Sequence, residues 1–277
     1  MKTLYISDLD GTLLNSRAEL SDYTIEVLNR LIENGVHFSI ATARTASTTL
    51  KMFENVALNI PIVLMNGVLI YDPIRKEYIK KEALSKEVAV DIILAMREAG
   101  QTGLLYSLQN EVVKTHYETL DNKALCDFIN ERKIKYNKVF TQVADFSEVS
   151  EDIIYFCFLD EKKNLEQLYS LISKLDGIEI AKYRDIYSEN LWYVEIFSAS
   201  ASKYNAVRFL REYGGYEHIC GFGDNLNDIP LFRACDKSYA VANAKDEVKE
   251  IATAVIANNE EDGVAKYLER LEELENE

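Results

Sequence analysis

Two aspartates near the start of the chain, Asp8 and Asp10, are spaced so that both could act on one ligand. They follow the run LYIS at residues 4–7, which is typical of a short buried strand. In open parallel sheets the chemistry collects at the carboxyl ends of strands, and side chains at i and i+2 beyond such an end can face the same ligand. Gly11 permits a sharp turn here. An ordinary Asp-Gly turn is the simpler alternative, but two acids followed by Gly-Thr favour a site of acid chemistry.

Four short motifs occur along the chain in a fixed order. Residues 8–12 read DLDGT, residues 38–44 read FSIATAR, residues 200–203 read SASK, and residues 223–228 read GDNLND. In this order they resemble the haloacid dehalogenase-like (HAD) superfamily, and within it the Cof-like phosphatases that carry a large cap domain. The motifs extend from Asp8 to Asp228, so the resemblance covers nearly the whole chain.

The resemblance implies a division of catalytic roles. Asp8 would be the nucleophile, whose attack on phosphorus gives an aspartyl-phosphate. Asp10 would be the general acid that protonates the departing alcohol and later the base that activates water. Donors to the phosphoryl oxygens would come from Thr42, Lys203 and Asn227.

The resemblance also implies a bound Mg²⁺. Its protein ligands would be the carboxylates of Asp8 and Asp224 and the backbone carbonyl of Asp10, an oxygen-rich set that suits this ion. Asp228 follows Asp224 at a predicted helix start, and three roles stay open for it. It could be an N-cap or first-turn acid, a direct metal ligand, or a residue that orients the metal-bound water or Lys203.

Further polar residues are candidates for the substrate pocket. Arg44 and Asn66 lie on predicted loops of the catalytic domain, and each is expected either to line the pocket or to be structural. In the middle of the chain, the candidate specificity residues are Arg184, Tyr187, Asn190 and Trp192.

The composition limits the classes of partner. The chain of 277 residues has a formal net charge of −15, which argues against a general nucleic-acid-binding protein, because such proteins need a basic surface. An acidic chain also repels a phosphorylated substrate, so a metal and a few local cations must reverse the field at the site. We find no apolar stretch long enough for a signal peptide or a membrane span, and the four cysteines occur singly. We therefore expect a cytoplasmic protein with reduced cysteines that binds a small phosphorylated metabolite and neither nucleic acid nor membrane, in an oligomeric state that the sequence leaves open.

The pattern of elements predicts an α/β fold. Strand-like and helix-like segments alternate at both ends of the chain, which indicates a Rossmann-like parallel-sheet HAD core with an inserted α+β cap domain. We assign residues 1–82 and 191–277 to the core, including a strand at residues 194–196. Residues 83–190, where longer helices mix with strand-like runs, are assigned to the cap.

The expected function is that of a Mg²⁺-dependent phosphatase, which hydrolyses phosphate monoesters of small metabolites, sugar phosphates or similar, through an aspartyl-phosphate. Two alternatives remain. A phosphomutase would keep the same aspartates but return the phosphoryl group to a sugar. A non-catalytic metabolite-sensing protein would be expected to lose a motif residue, and none is lost.

Overall fold

The computed structural model describes residues 2–185, 188 and 190–276, with only the backbone for residues 273–276. The strands are β1 (Thr3–Ser7), β2 (His37–Ile40), β3 (Ile62–Leu64), β4 (Leu69–Asp72), β5 (Glu77–Lys81), β6 (Leu104–Gln109), β7 (Val112–Tyr117), β8 (Thr141–Gln142), β9 (Asp152–Glu161), β10 (Ile178–Arg184), β11 (Leu191–Ser198), β12 (His218–Gly223), β13 (Lys237–Val241) and β14 (Ala254–Ile256). The helices are α1 (Asp22–Glu33), α2 (Ala46–Met52), α3 (Lys86–Glu98), α4 (Lys123–Tyr136), α5 (Lys162–Ile172), α6 (Lys203–Gly214), α7 (Ile229–Ala234), α8 (Asp246–Ile251) and α9 (Gly263–Asn276). Within these described residues, no helix combines the length and the apolar composition that crossing a bilayer requires.

The chain folds into two compact units. The first, which we call the core unit, combines the residues up to Lys80 with those from Ser202 onward. The second, the cap unit, is Lys81–Ala201 and interrupts the core unit in sequence. The first boundary lies close to the predicted one, but the second lies after Ala201 rather than after Asn190.

A five-stranded parallel sheet forms the centre of the core unit, in the order β14-β13-β12-β1-β2. Its strand β1 lies between β12 and β2, and Leu4 and Ile6, which share one face of this strand, are completely buried. A parallel bridge between Ala41 and Val63 connects the region after β2 to β3, which pairs in turn with the hairpin of β4 and β5. The predicted Rossmann-like parallel sheet is therefore confirmed.

Helix α6, which carries the third motif, has clear signals at both ends. It begins at an N-cap where the Ser202 hydroxyl accepts from the Asn205 N–H at 3.0 Å. It ends at Gly215, whose φ of +63° gives a left-handed C-cap. The N-cap fixes the first turn of α6, and with it the start of the Lys203 side chain. The buried face of the helix is formed by Ala206, Val207 and Leu210.

A six-stranded sheet forms the cap unit, in the order β10-β11-β9-β6-β7-β8. All of its pairs are antiparallel except β7 with β8. Helices α3 and α5 pack against one face of this sheet, which confirms the predicted α+β composition. The buried side chains between them include Ile92, Met96, Phe156, Phe158, Leu165, Leu168, Val194 and Ile196.

The assignment of residues 194–196 to the core is wrong. Strand β11 pairs antiparallel with β9 and β10, and Val194 and Ile196 lie in the apolar layer beneath α3 and α5. The segment Leu191–Ser198 is apolar at every position except Glu195 and Ser198, a pattern that is equally typical of a parallel core strand. The pattern therefore could not show which sheet the strand joins, and the boundary was placed too early.

Candidate active site

Three aspartates lie together at the carboxyl ends of two neighbouring core strands. Asp8 directly follows β1 and Asp224 directly follows β12, and these strands run parallel side by side, so their ends meet at one edge of the sheet. Asp228 lies in the next turn. All three are buried, and one carboxylate oxygen of each lies within 4.8 Å of the others.

The turn after Asp8 depends on a glycine. Gly11 has a φ of +82°, a conformation that L side chains rarely adopt. A Cβ atom at Gly11 would lie 2.5 Å from Oδ2 of Asp224, so any side chain there would displace that carboxylate. The hydroxyl of Thr12 donates to Oδ1 of Asp224 at 2.9 Å. The first motif is thus hydrogen-bonded directly to the fourth.

A buried lysine neutralises part of this acidic group. Nζ of Lys203 donates to Oδ1 of Asp8 and to Oδ1 of Asp228, both at 2.6 Å, and its side chain is 1% exposed. The start of α6 is closely packed, because a Cβ atom at Gly67 would lie 2.3 Å from the carbonyl oxygen of Ser202. The turn after β3 therefore abuts the helix terminus that presents Lys203.

Asp228 connects two parts of the site. Its Oδ1 accepts from Lys203, and its Oδ2 accepts from the backbone N–H groups of Asp224 at 3.0 Å and Asn225 at 3.1 Å. Gly223 permits this approach, since a Cβ atom there would lie 2.7 Å from the Cβ of Asp228. Both carboxylate oxygens of Asp228 therefore already have donors.

Burial disfavours the ionised form of the Asp8 and Asp224 carboxyl groups and so raises their pKa values. The pKa of Asp8 is raised to about 8, by burial first and then by the charge of Asp228, against the opposing effect of Lys203. Burial, followed by the charges of Asp228 and Asp8, raises the pKa of Asp224 well above its ordinary value. For Lys203, burial acts to lower the pKa, but Asp228 and Asp8 outweigh it and raise the pKa overall. One ammonium does not neutralise three buried carboxylates, so this oxygen-rich group fits a hard divalent cation.

Asp10 is held by an arginine from the second motif. Nε of Arg44 donates to Oδ2 of Asp10 at 2.7 Å, and Nη2 donates to Oδ1 at 2.5 Å. Such a bidentate contact fixes the plane of the carboxylate as well as its position. The Arg44 side chain is 9% exposed and that of Asp10 is 27% exposed, so the acid keeps access to a ligand while its partner is nearly enclosed.

Two loops of the predicted site are joined by backbone hydrogen bonds. The N–H of Thr42 donates to the carbonyl of Val63 at 3.0 Å, and the carbonyl of Thr42 accepts from Asn66 at 2.9 Å. The carbonyl of Arg44 accepts from the N–H of Met65 at 3.1 Å. Thr42 is completely buried, and Asn66 is buried in a left-handed conformation with φ of +55°. The second motif is therefore fixed against the end of β3.

Other predicted residues lie outside this bonded group. Asn227 is half-buried in the short turn that also contains Asp228. In the cap unit, Arg184 and Trp192 are opposite each other on β10 and β11. Asn190 immediately precedes β11, and Tyr187 lies outside the described residues.

Thr12 was not singled out in the sequence, although it is bonded to the acidic group. The signal was available, because Thr12 belongs to the same DLDGT motif as the two aspartates and its hydroxyl is a hydrogen-bond donor. What the sequence did not show is that this donor reaches Asp224 from a distant part of the chain.

Comparison with known proteins identifies the family. The profile of the haloacid dehalogenase-like hydrolases matches residues 5–268. The chain belongs to this family. The hydrolase is 26% identical over 265 residues to the 5-amino-6-(5-phospho-D-ribitylamino)uracil phosphatase YitU of Bacillus subtilis, and 94% of each chain is covered. It is 27% identical over 266 residues to the pyridoxal phosphate phosphatase YbhA of Escherichia coli, covering 94% of this chain and 95% of the relative.

The fold is also shared with a solved structure. A haloacid dehalogenase-like hydrolase from B. subtilis matches this hydrolase with a TM-score of 0.82 at 24% identity, over 98% of this chain and 100% of that one. The resemblance inferred from the four motifs is confirmed. The expected enzyme class, a phosphatase of this family, is supported by both named relatives.

Proposed function

We propose that this hydrolase is a Mg²⁺-dependent phosphatase that acts on phosphate monoesters of small metabolites through an aspartyl-phosphate at Asp8. The observation that carries the proposal is the environment of Asp8. Its carboxylate lies at the end of β1, bonded to Lys203 and within 4.8 Å of carboxylate oxygens of Asp224 and Asp228. A nucleophile beside an ammonium, in a group of acids that fits a metal, suits attack on an anionic phosphoryl group.

We assign the metal site to the carboxylates of Asp8 and Asp224 and the backbone carbonyl of Asp10. Bound there, Mg²⁺ would neutralise the acidic group and so reduce its repulsion of a phosphate. We assign Asp228 to positioning rather than to metal binding. Its two oxygens are occupied by Lys203 and by the backbone N–H groups that follow Gly223.

The reaction then has two displacement steps. Asp8 attacks phosphorus, the bond from phosphorus to the ester oxygen breaks, and Asp10 gives its proton to the departing oxygen. A water molecule next attacks the phosphorus of the aspartyl-phosphate and gives a proton to Asp10, and Asp8 departs as a carboxylate. The donors to the phosphoryl oxygens are Lys203, Thr42 and Asn227, and they stabilise the negative charge on these oxygens during the transfer.

Arg44 contacts both the proposed general acid, Asp10, and the proposed phosphoryl donor Thr42. Its side chain orients the carboxylate of Asp10, and its backbone N–H donates to Oγ1 of Thr42 at 3.1 Å. Because Oγ1 of Thr42 is the acceptor in this bond, its O–H group can donate to a phosphoryl oxygen. Asn66 supports the same loop through its bond to the Thr42 carbonyl.

The substrate class is a phosphate monoester of a small metabolite, with sugar phosphates included. The two named relatives act on a pyridoxal phosphate and on a ribitylaminouracil phosphate, which share little beyond the ester itself. The four cysteines of the chain are free, which fits a reducing compartment such as the cytoplasm.

The test is phosphate release by the purified full chain. With Mg²⁺ present, we expect inorganic phosphate from a panel containing glucose 6-phosphate, erythrose 4-phosphate and pyridoxal 5′-phosphate, and loss of that release when EDTA removes the metal. Asp8→Asn should abolish release, whereas Asp91→Asn, on an exposed position of α3, should not. NMR of the sugar products separates a phosphatase from a mutase, because an isomerised sugar phosphate without free phosphate would contradict the proposal.

A further inference from the structure

A short loop between β13 and α8 contacts both catalytic turns. The side-chain Nδ2 of Asn243 donates to the carbonyl oxygen of Gly11 at 2.7 Å. Two residues later, the backbone N–H of Lys245 donates to the carbonyl oxygen of Asp224 at 2.8 Å. This loop contains none of the four motifs, yet it is hydrogen-bonded both to the turn after β1 and to the turn after β12.

A second asparagine fixes the first. The backbone N–H of Asn259 donates to Oδ1 of Asn243 at 3.1 Å, and Nδ2 of Asn259 donates to the carbonyl oxygen of Leu14 at 2.8 Å. The Asn243 side chain therefore holds the turn at Gly11, the Asn259 side chain holds the chain just beyond the turn, and the Asn259 backbone bonds to the Asn243 side chain. The amide of Asn243 uses its donor and its acceptor at once, which fixes its orientation.

Gly11 is the residue of this turn whose position depends most on contacts from outside the turn. It has no side chain to pack, its φ is +82°, and contact with Asp224 excludes even a methyl group. Its neighbours on either side carry the proposed functions: the carbonyl of Asp10 is an assigned metal ligand, and the hydroxyl of Thr12 bonds to Asp224. A shift at Gly11 would therefore move two groups of the metal site together.

We infer that Asn243 is a positioning residue for the metal site, acting through Gly11 with the support of Asn259. The inference rests on the proposed Mg²⁺-dependent function. Outer-shell partners of metal ligands commonly change affinity or activity by about 10-fold or more when they are removed. Loss of the Asn243 amide should accordingly weaken Mg²⁺ binding, while the residues that react with phosphorus remain in place.

The experiment compares Asn243→Ala, Asn243→Asp and Asn259→Ala in the full chain. Asn34→Ala serves as the matched control, because it removes another exposed asparagine amide, one that donates to Glu272. Mg²⁺ affinity is measured by calorimetry without substrate, and amide exchange of residues 9–14 is followed by mass spectrometry. We expect about 10-fold weaker Mg²⁺ binding and faster exchange in Asn243→Ala, with the control unchanged. Asn243→Asp should be at least as impaired, since it keeps the acceptor for Asn259 but places a carboxylate against the Gly11 carbonyl.

The two asparagine side chains hold different carbonyl groups, which gives a second readout. Asn259→Ala keeps the backbone N–H that donates to Asn243 and loses only the bond to Leu14, so it should weaken Mg²⁺ binding less than Asn243→Ala does. Raised Mg²⁺ should restore most of kcat in Asn243→Ala, which a purely structural role would not predict. Wild-type affinity and exchange in Asn243→Ala would overturn this inference and leave the proposed function intact, whereas a wild-type chain that binds no Mg²⁺ would refute both.

Discussion

The bidentate contact between Arg44 and Asp10 gives the proposed general acid a fixed orientation. Two bonds, at 2.7 Å and 2.5 Å, hold the carboxylate plane, so that Asp10 can meet the leaving group without first being ordered. A lysine at this position would keep the charge but could not form the same planar fork. The contribution of Arg44 should therefore depend on how much the leaving group needs a proton.

We predict that Arg44→Lys discriminates between esters. For alkyl phosphates such as glycerol 3-phosphate, kcat/KM should fall about 100-fold, the scale of general acid catalysis. For p-nitrophenyl phosphate, whose leaving group needs little protonation, the loss should be much smaller. Arg208→Lys, an exposed change that leaves the site untouched, is the control. Equal losses on both esters would show that Arg44 serves binding or folding rather than the orientation of Asp10.

Lys203 allows its structural and catalytic roles to be separated. Lys203→Met leaves the buried Asp8 and Asp228 without their shared cation, which should cost about 3 kcal/mol of unfolding free energy and abolish phosphate release. Adding Asp228→Asn removes one of the uncompensated charges and should return part of the stability without returning activity. Chemical denaturation and a phosphate assay on the same samples measure both. A double variant that regained turnover would contradict a catalytic role for the ammonium.

Among the elements, the turn at Leu9–Leu13 sets the geometry of the first motif. Gly11 and Gly35 have nearly the same φ, +82° and +87°, but only Gly11 lacks space, because no atom lies within 4 Å of a Cβ atom at Gly35. Alanine should cost about 1 kcal/mol of stability at either position through backbone strain alone. The pair therefore separates strain from damage to the site.

We predict that Gly11→Ala lowers kcat/KM about 100-fold, as expected when a reacting group is displaced, whereas Gly35→Ala leaves it unchanged. Steady-state kinetics with thermal unfolding on both variants makes the comparison. Comparable loss of activity in the two would mean that strain, and not the approach to Asp224, is what disables the enzyme.

The sequence predicted the elements near the motifs better than those of the cap unit. Helix α1 follows local sequence signals, because Ser21 caps it and apolar residues follow at helical spacing. The parallel strands were recognisable because short apolar runs lead directly into the motifs. Strands β6 and β7 are harder to recognise, since their apolar and polar residues do not alternate cleanly. Contacts such as Asn243 to Gly11 join residues far apart in sequence, so no local pattern could indicate them.

On the scale of the whole molecule, the chain is strongly acidic, and the proposed catalytic group is acidic too. A net charge of −15 would repel a phosphorylated substrate, so the local cations Lys203 and Arg44 and the proposed metal must outweigh it near Asp8. The order of the motifs identified the family without any structural information. The end of the cap unit did not follow from the sequence, because β11 is as apolar as a core strand.

The cap unit contains a buried histidine that should make its stability depend on pH. His116 Nε2 is 2.8 Å from the Ser107 hydroxyl, and its Nδ1 has no hydrogen-bond partner among the residues that the structure describes. Burial lowers the pKa of His116, opposed by Glu151 and assisted by Lys114. The folded state then binds fewer protons than the unfolded state at acid pH. Its stabilising contribution is present above the ordinary histidine pKa of 6.5 and is lost as the pH falls through the lowered value.

We predict that the melting temperature of the wild-type chain falls between about pH 7.5 and pH 5.5 by more than that of His116→Gln, which keeps a hydrogen-bonding group near Ser107 but does not titrate. Scanning calorimetry without substrate and at constant ionic strength measures the melting temperatures of both proteins. Parallel curves for the two proteins would remove His116 from the explanation.

The most direct test of the central claim is to trap the phosphorylated intermediate. Protein quenched in acid during turnover of p-nitrophenyl phosphate with Mg²⁺ is reduced with borohydride, which converts an acyl phosphate to an alcohol, and the peptide spanning Asp8 is sequenced by mass spectrometry. Asp10→Asn should raise the trapped fraction, because it removes the base that activates water for the second step. We expect homoserine at position 8 in the quenched enzyme and none when substrate is omitted. Unmodified Asp8 during active turnover, or reduction at a different residue, would contradict the covalent mechanism.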